Sequence, residues 1–155
     1  MSEAGSARPL TAGERALAAA MFGDALDLDP VRIHARRWWP FQPANVAMAP
    51  DGHLWLPPKG GWPADFASAS PGLRALLIHE LTHVWQAQRG GRWFLPLARH
   101  PFCRYAYRLR PGKPFRRYGI EQQAVIVEHA WRARANGSPD PALETLLPFG
   151  AARDR

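Results

Sequence analysis

Residues 70–86 read SPGLRALLIHELTHVWQ and decide the fold. Ser70 suits the N-cap of a helix and Pro71 suits its first position, and apolar residues recur at helical spacing as far as Trp85. The glycine pair at 90–91 supplies a stop signal. The stretch therefore predicts a long helix with one buried face.

Two histidines lie four residues apart in this stretch, at His79 and His83, and Glu80 follows the first of them. Residues four apart share a face of an α-helix, so both imidazoles could bind one metal ion while Glu80 reaches its water. This spacing is the H-E-x-x-H pattern of zinc metallopeptidases. The alternative is a helix face that carries these residues by chance. The apolar residues around them favour the zinc site.

A catalytic zinc site needs a third protein ligand. The metzincin pattern would place it at position 89, where this chain has Arg89, so that branch is excluded. Glu121 is the preferred ligand, because it begins a second predicted helix, residues 120–135, beside the small Ala124. The downstream candidates share a side chain that can bind zinc: His100, Glu121, Glu128, His129 and a few C-terminal acids.

Two of these acids also have ordinary interpretations. Glu121 could be a first-turn acid favoured by the helix dipole. Glu128, two turns further along the same face, could accept a hydrogen bond from a ligand imidazole. It could equally be a surface carboxylate paired with Arg132 at i+4.

The rest of the chain predicts an α+β fold. Thr11 and Glu14 form the capping box of a first helix, and residues 31–35 alternate as a half-buried strand. A turn at 49–52 joins segments 45–49 and 53–56 as a hairpin. We expect a small antiparallel sheet of about three strands, packed on the H-E-x-x-H helix and the helix that carries the third ligand. If 53–56 lies at the sheet edge beside the cleft, a peptide could bind there by strand addition.

Two further features concern domain organisation and surface. Residues 1–8 are expected to form a flexible tail, residues 9–150 a single domain and residues 151–155 a C-terminal tail. The aromatic and basic cluster at 36–41 is expected to pack over the sheet edge rather than to line a binding surface.

The composition predicts a basic surface, with a net charge of +7 and a pI of about 10.7. No acidic residue lies between Leu81 and Ile120, and the excess charge falls at 89–117. This segment is either a solvated surface, the commoner case, or a wall that steers an acidic substrate or partner. Cys103 is the only cysteine, which excludes an internal disulfide and a zinc finger. Without a signal peptide or an apolar span, we expect a cytoplasmic protein, unless export does not need a cleavable signal.

Several stretches resemble known families. His79–Gln86 with a downstream Glu121-Gln122-Gln123-Ala124 resembles a minimal gluzincin-type metallopeptidase domain and the peptidase-like domain of contractile injection systems. Residues 38–43, 48–53 and 100–105 are similar to the bacterial vgr-related proteins. The resemblance covers about residues 9–149. It implies a zincin-like fold, a role near a type VI or related secretion system, and site residues at His79, Glu80, His83 and Glu121.

The expected function is that of a zinc-dependent peptidase in which Glu80 is the general base. Its substrate is a peptide or protein, and spike components of a secretion apparatus are expected partners. The sequence does not choose the hydrogen-bond donor that would stabilise the oxyanion. The candidates are Tyr105, Tyr107, Tyr118, His100 and nearby arginines. One alternative is a catalytically silent zincin-fold accessory or assembly module. A third, less favoured, is a binder of nucleic acid or an anionic envelope through 89–117.

Overall fold

The computed structural model describes residues 7–91, Leu95 and residues 104–149. The described helices are α1 (Ala12–Phe22), α2 (Pro71–Gly90), α3 (Ile120–Ala135) and α4 (Pro141–Leu146), and the described strands are β1 (Ala7–Pro9), β2 (Arg32–His34) and β3 (Leu54–Trp55). Single-turn 3-10 helices, among them Phe66–Ser68 and Phe115–Arg117, punctuate the loops.

The helix ends follow the sequence signals. Thr11 and Glu14 form the predicted capping box of α1. The Ser70 side chain accepts a hydrogen bond from the backbone N–H of Leu73 at the start of α2, and α2 ends at a cap residue, Gly91, whose φ is +87°. A side chain would be strained at that angle, which is the physical reason for glycine there. The helices predicted at 70–90 and 120–135 are confirmed.

The sheet is mixed, so the prediction of an antiparallel sheet is wrong in part. Its order is β1-β2-β3. β1 pairs with β2 antiparallel, whereas β3 pairs with β2 in parallel, with Ile33 beside Leu54. A parallel pair requires a crossover connection of a dozen or more residues, and the long loop between His34 and Leu54 provides it.

The predicted hairpin shrinks to one antiparallel bridge between Met48 and Trp55. Their backbones exchange hydrogen bonds of 3.1 and 2.8 Å. Met48 therefore occupies the outer side of β3 at that point, and β3 is not the open edge expected beside the cleft. Ala49 and Pro50, which follow Met48 in the chain, line the cleft in place of β3.

The first strand begins inside the predicted tail, since Ala7 and Arg8 belong to β1. Arg8 is held by two hydrogen bonds to the Glu14 carboxylate, each 2.9 Å long. The expectation for residues 1–6 and 151–155 lies outside the described residues. The predicted single domain over 9–150 stays a prediction.

The aromatic cluster at 36–41 does not pack over the sheet edge as a unit. Trp39 is 44% exposed and Phe41 is 77% exposed. Trp38 is half-buried. The expectation of packing is therefore wrong for two of its three rings.

The core lies between α2, α3, α1 and the inner face of the sheet. Helices α2 and α3 form the largest contact between elements, and Ala124 and Ala130 on α3 are fully buried. Small side chains let two helices approach closely, so polar residues at the ends of this interface also meet. Over the ranges that the structure describes, no helix is long and apolar enough to cross a membrane.

Candidate metal centre

Two helices position the polar residues of the site. Helix α2 carries His79, Glu80 and His83 on its inner side, and the first turn of α3 carries Glu121. All but His79 are buried, and Glu121 is 2% exposed. The histidine spacing of four brings the two imidazoles to a centroid separation of 5.2 Å.

Among the described residues, His79, His83 and Glu121 form a cluster whose potential ligand atoms all lie within 4.8 Å of one another. Glu121 Oε2 is 3.5 Å from His79 Nε2 and 3.2 Å from His83 Nε2. Two ligand atoms at tetrahedral positions around zinc, each at about 2.0–2.2 Å, would lie about 3.4 Å apart. The observed spacing matches that value.

A pair of carboxamides orients the His83 ring. The Gln86 Nε2 donates to the backbone carbonyl of Ile120 and to Gln123 Oε1, both at 2.9 Å. A backbone carbonyl can only accept, so the oxygen end of Gln86 must face His83, where Oε1 lies 2.8 Å from Nδ1. Gln123 is oriented in turn by donating to the backbone carbonyl of Tyr118 at 2.9 Å.

This orientation assigns the proton of a neutral His83 to Nδ1 and leaves the Nε2 lone pair facing the Glu121 carboxylate. Two lone pairs at 3.2 Å repel each other unless a proton or a metal cation lies between them. His83 and Glu121 are therefore arranged to share either a proton or a metal cation. The donor set of two imidazoles and one carboxylate is one that binds zinc.

His79 has an equivalent partner on its outer nitrogen. Its Nδ1 lies 3.1 Å from Glu128 Oε1, and Glu128 also accepts from Arg132 Nε at 3.0 Å. Burial alone would lower the pKa of His79, but the hydrogen bonds to Glu121 and Glu128 and the charge of Glu80 raise its pKa to about 10. A positive charge is thus favoured at this position as well. Glu128 thus forms the predicted i+4 pair with Arg132 and also contacts the His79 imidazole.

Glu80 lines a small cleft against the cluster. The described lining is Ala49, Pro50, Glu80, His83, Leu95, Ile120 and Glu121, and the volume is about 10 Å³. That is close to the least space that one water molecule needs. A carboxylate, two candidate ligands and an apolar wall therefore enclose a position of the right size for a single small reactant.

Comparisons with known proteins place the chain in a family. No family model matches it. It is 39% identical over 131 residues to the type VI secretion system spike protein VgrG2b of Pseudomonas aeruginosa, over 81% of this chain and 13% of that protein. The solved effector domain of Pseudomonas aeruginosa VgrG2b aligns with a TM-score of 0.77 and 35% identity, covering 90% of this chain and 82% of that domain. The chain belongs to the family of the VgrG2b effector domain.

The relationship is to the effector domain, because the chain spans only 13% of the length of the spike protein. It bears out the part of the predicted resemblance that concerns vgr-related proteins and secretion systems.

The other predicted candidates lie elsewhere in the VgrG2b-type domain. The Tyr107 hydroxyl pairs with His129 Nδ1 at 2.7 Å, and His129 does not join the described cluster. The Tyr118 hydroxyl accepts from the backbone N–H of Arg110 at 3.1 Å. Tyr105 is 52% exposed. None of the three tyrosines belongs to the described lining of the cleft, and His100 lies outside the described residues.

The sequence did not predict the residues that orient His83 in this chain. Gln86 lies three residues after His83, a spacing that places both on one helix face and could have flagged it. Gln123 and the cleft residues Ala49 and Pro50 carried no such signal, because their places depend on how α3 and the loop before β3 pack.

Proposed function

We propose that this domain is a zinc-dependent peptidase with a zincin-like fold, in which His79, His83 and Glu121 hold the metal and Glu80 is the general base. The observation that carries the proposal is that one Glu121 oxygen lies 3.5 Å from His79 Nε2 and 3.2 Å from His83 Nε2, which brings three potential zinc ligands together. Zinc bound there would polarise a scissile carbonyl and make water a nucleophile at neutral pH.

The chain's own residues would divide the remaining work. Glu80 accepts a proton from the attacking water and returns it to the leaving amine. Gln86 and Glu128 hold the outer nitrogens of His83 and His79, so that both Nε2 atoms point to the same place. Ala49, Pro50 and Ile120 give the cleft an apolar wall, which limits access of bulk water.

The first experiment measures metal content. Protein purified without chelators should contain about one zinc per chain, as one three-ligand site requires. The variants His79→Ala and Glu121→Ala should no longer retain zinc. The matched control is His129→Ala, which removes an imidazole from α3 outside the cluster and should keep the metal. A metal-free wild type would overturn the proposed site, and unchanged zinc affinity in Glu121→Ala would remove Glu121 as ligand.

The second experiment measures hydrolysis of an unfolded protein substrate. Glu80→Gln should keep zinc but lose activity by a factor on the order of 10² to 10⁴, which is the usual contribution of a general base. Equal activity in that variant would exclude Glu80 as the base. A wild type that binds zinc but cleaves nothing would favour the silent accessory module.

We also propose that the domain works with a type VI secretion apparatus and reaches its substrate through it. The support is that its relative is a spike protein of such a system and that the matching solved domain is called an effector domain. Two measurements test this. The domain should co-purify with a spike protein from the same cell, and its export from that cell should stop when the secretion system is deleted. Export that persists without the system would contradict it.

A further inference from the structure

A second and much larger cavity lies beyond Gln86 and Gln123, the two amides that orient His83. It is formed mainly by the end of α2, the loop at 109–118 and α4, and has a volume of about 1460 Å³. Among the described residues it shares no lining residue with the cleft at Glu80. The basic side chains in its wall are Arg89, Arg110, Lys113 and Arg116.

The charged side chains in the described wall of this cavity are all positive. Its described lining contains no Asp or Glu. Within the part of the chain that the structure describes, none of the four cations forms an ion pair with a carboxylate: Arg89 lies over the Trp85 ring at 5.1 Å and Lys113 over the Tyr118 ring at 4.4 Å. Like charges around a concave surface reinforce one another's potential and attract anions. The cavity is therefore suited to an anionic occupant.

The remaining lining favours a peptide over a nucleic acid. Single-stranded nucleic acids are held by aromatic faces on which bases stack. Here the rings of Trp85, Phe115 and Tyr118 are buried, at 7%, 5% and 4% exposure, and two are already covered by cations. Half-buried aliphatic residues such as Leu109 and Leu146 offer contacts for apolar side chains instead.

We propose that this cavity binds a carboxylate-bearing segment of a protein, with its acidic side chains on the four cations and its apolar side chains against the aliphatic wall. The proposal does not depend on zinc or on peptide cleavage, because the two sites share no described lining residue. It gives the basic segment at 89–117 a role that the proposed peptidase chemistry leaves unused.

The test is fluorescence anisotropy with a short labelled peptide of Glu and Ser around one Leu-Phe pair, and a matched peptide with Gln in place of each Glu. The wild type should bind the acidic peptide and not the Gln peptide. The triple variant Arg110→Gln/Lys113→Gln/Arg116→Gln should weaken binding about tenfold, as three charge contacts of modest strength predict. Mass spectrometry of the recovered peptide verifies that it stays intact.

The matched control is Arg104→Gln/Arg108→Gln/Arg117→Gln, which removes the same charge from exposed positions of the same segment outside the described lining. It should weaken binding less than about threefold. A second variant, Ala142→Glu, places a carboxylate in the wall at an exposed position and should weaken binding without removing a native side chain.

Three outcomes would overturn the proposal. Equal losses in the two triple variants would show that only the net charge matters. Equal binding of the Gln peptide would remove the role of carboxylates. A single-stranded oligonucleotide that binds through the cavity cations, when the acidic peptide does not, would assign the cavity to nucleic acid. Zinc content should be the same in all these variants, so failure here is distinct from failure of the metal site.

Discussion

At the scale of single residues, Glu14 shows how one side chain can join three elements. Its carboxylate is fully buried and accepts from Arg8 in β1, from the N–H of Thr11 at 2.8 Å and from the N–H of Phe66 at 3.0 Å. Burial alone would raise the pKa of Glu14, but these hydrogen bonds outweigh it and hold the pKa below its usual value of 4.5. The ionised form is therefore the one the fold requires.

Glu14→Gln should lower the free energy of unfolding by about 3 kcal/mol at neutral pH, because a hydrogen bond to a charged group contributes about 1.5–3 kcal/mol and Gln cannot accept both bonds from Arg8. A lowered folded-state pKa stabilises the protein above the unfolded value of 4.5 and loses that contribution as pH falls through the folded pKa. The difference between wild type and variant should thus shrink in acid. Urea denaturation across this pH range measures it.

The control for that prediction is Asp29→Asn, which breaks an exposed ion pair with Arg15. It should change the free energy of unfolding by less than about 1 kcal/mol. A loss in Glu14→Gln no larger than in the control would contradict the structural role of Glu14.

At the scale of elements, the loop between β2 and β3 is held by one buried amide. Gln42 is 1% exposed. Its Oε1 accepts from the N–H of Trp38 at 2.7 Å, and its Nε2 donates to the carbonyls of Val46 and Trp55 at 2.8 and 3.0 Å. This one side chain ties the loop at Trp38 and Val46 to Trp55 of β3, whose partner Met48 leads into the cleft wall. Loop order and cleft shape are therefore linked.

Gln42→Ala should destabilise the fold by about 2 kcal/mol, because it removes the three hydrogen bonds of a buried side-chain amide. Amide hydrogen exchange should accelerate across residues 37–46 while α2 and α3 stay protected. The matched control is Gln88→Ala, whose amide bonds to the Asp27 backbone are exposed to solvent and should matter less. Unchanged exchange in the loop of Gln42→Ala would show that the loop is held by other contacts.

At the scale of the whole molecule, the α2–α3 interface couples the metal centre to the fold. The interface buries apolar residues such as Leu81 and Val127 along its length, but at one end it brings together the carboxylates of Glu80 and Glu121 with two imidazoles. Two carboxylates at a buried interface cost stability unless positive charge compensates them, and a His79 imidazolium supplies one such charge for the two. Metal binding and folding should therefore be linked.

Chelation of zinc should lower the melting temperature of the wild type, because a ligand present at about 100 times its Kd stabilises the folded state by about 2.7 kcal/mol. Differential scanning fluorimetry with and without a chelator, followed by restoration with zinc, measures the shift. Mg²⁺, which prefers oxygen ligands, should not restore it. His79→Ala should show little response to either addition, and an equal response in that variant would contradict the linkage.

Local patterns in the sequence were enough to predict the elements that carry the site. The 3.6-residue period, the caps at Ser70 and Thr11 and the glycine stop at 90–91 depend on neighbours within a few residues, so they predicted the helices correctly. The spacing of His79 and His83 predicted a shared face for the same reason. The capping box predicted one of the bonds of Glu14, because Thr11 lies three residues away.

Only the tertiary structure decided the contacts between distant segments. The sequence could rank Glu121 above its rivals, but the packing of α2 on α3 determined that it meets both histidines. Packing likewise decided that β3 runs parallel to β2, that Gln86 and Gln123 orient His83, and that four cations surround one cavity. Each of these depends on three-dimensional distances between residues far apart in the chain, and a local pattern of side chains does not specify such distances.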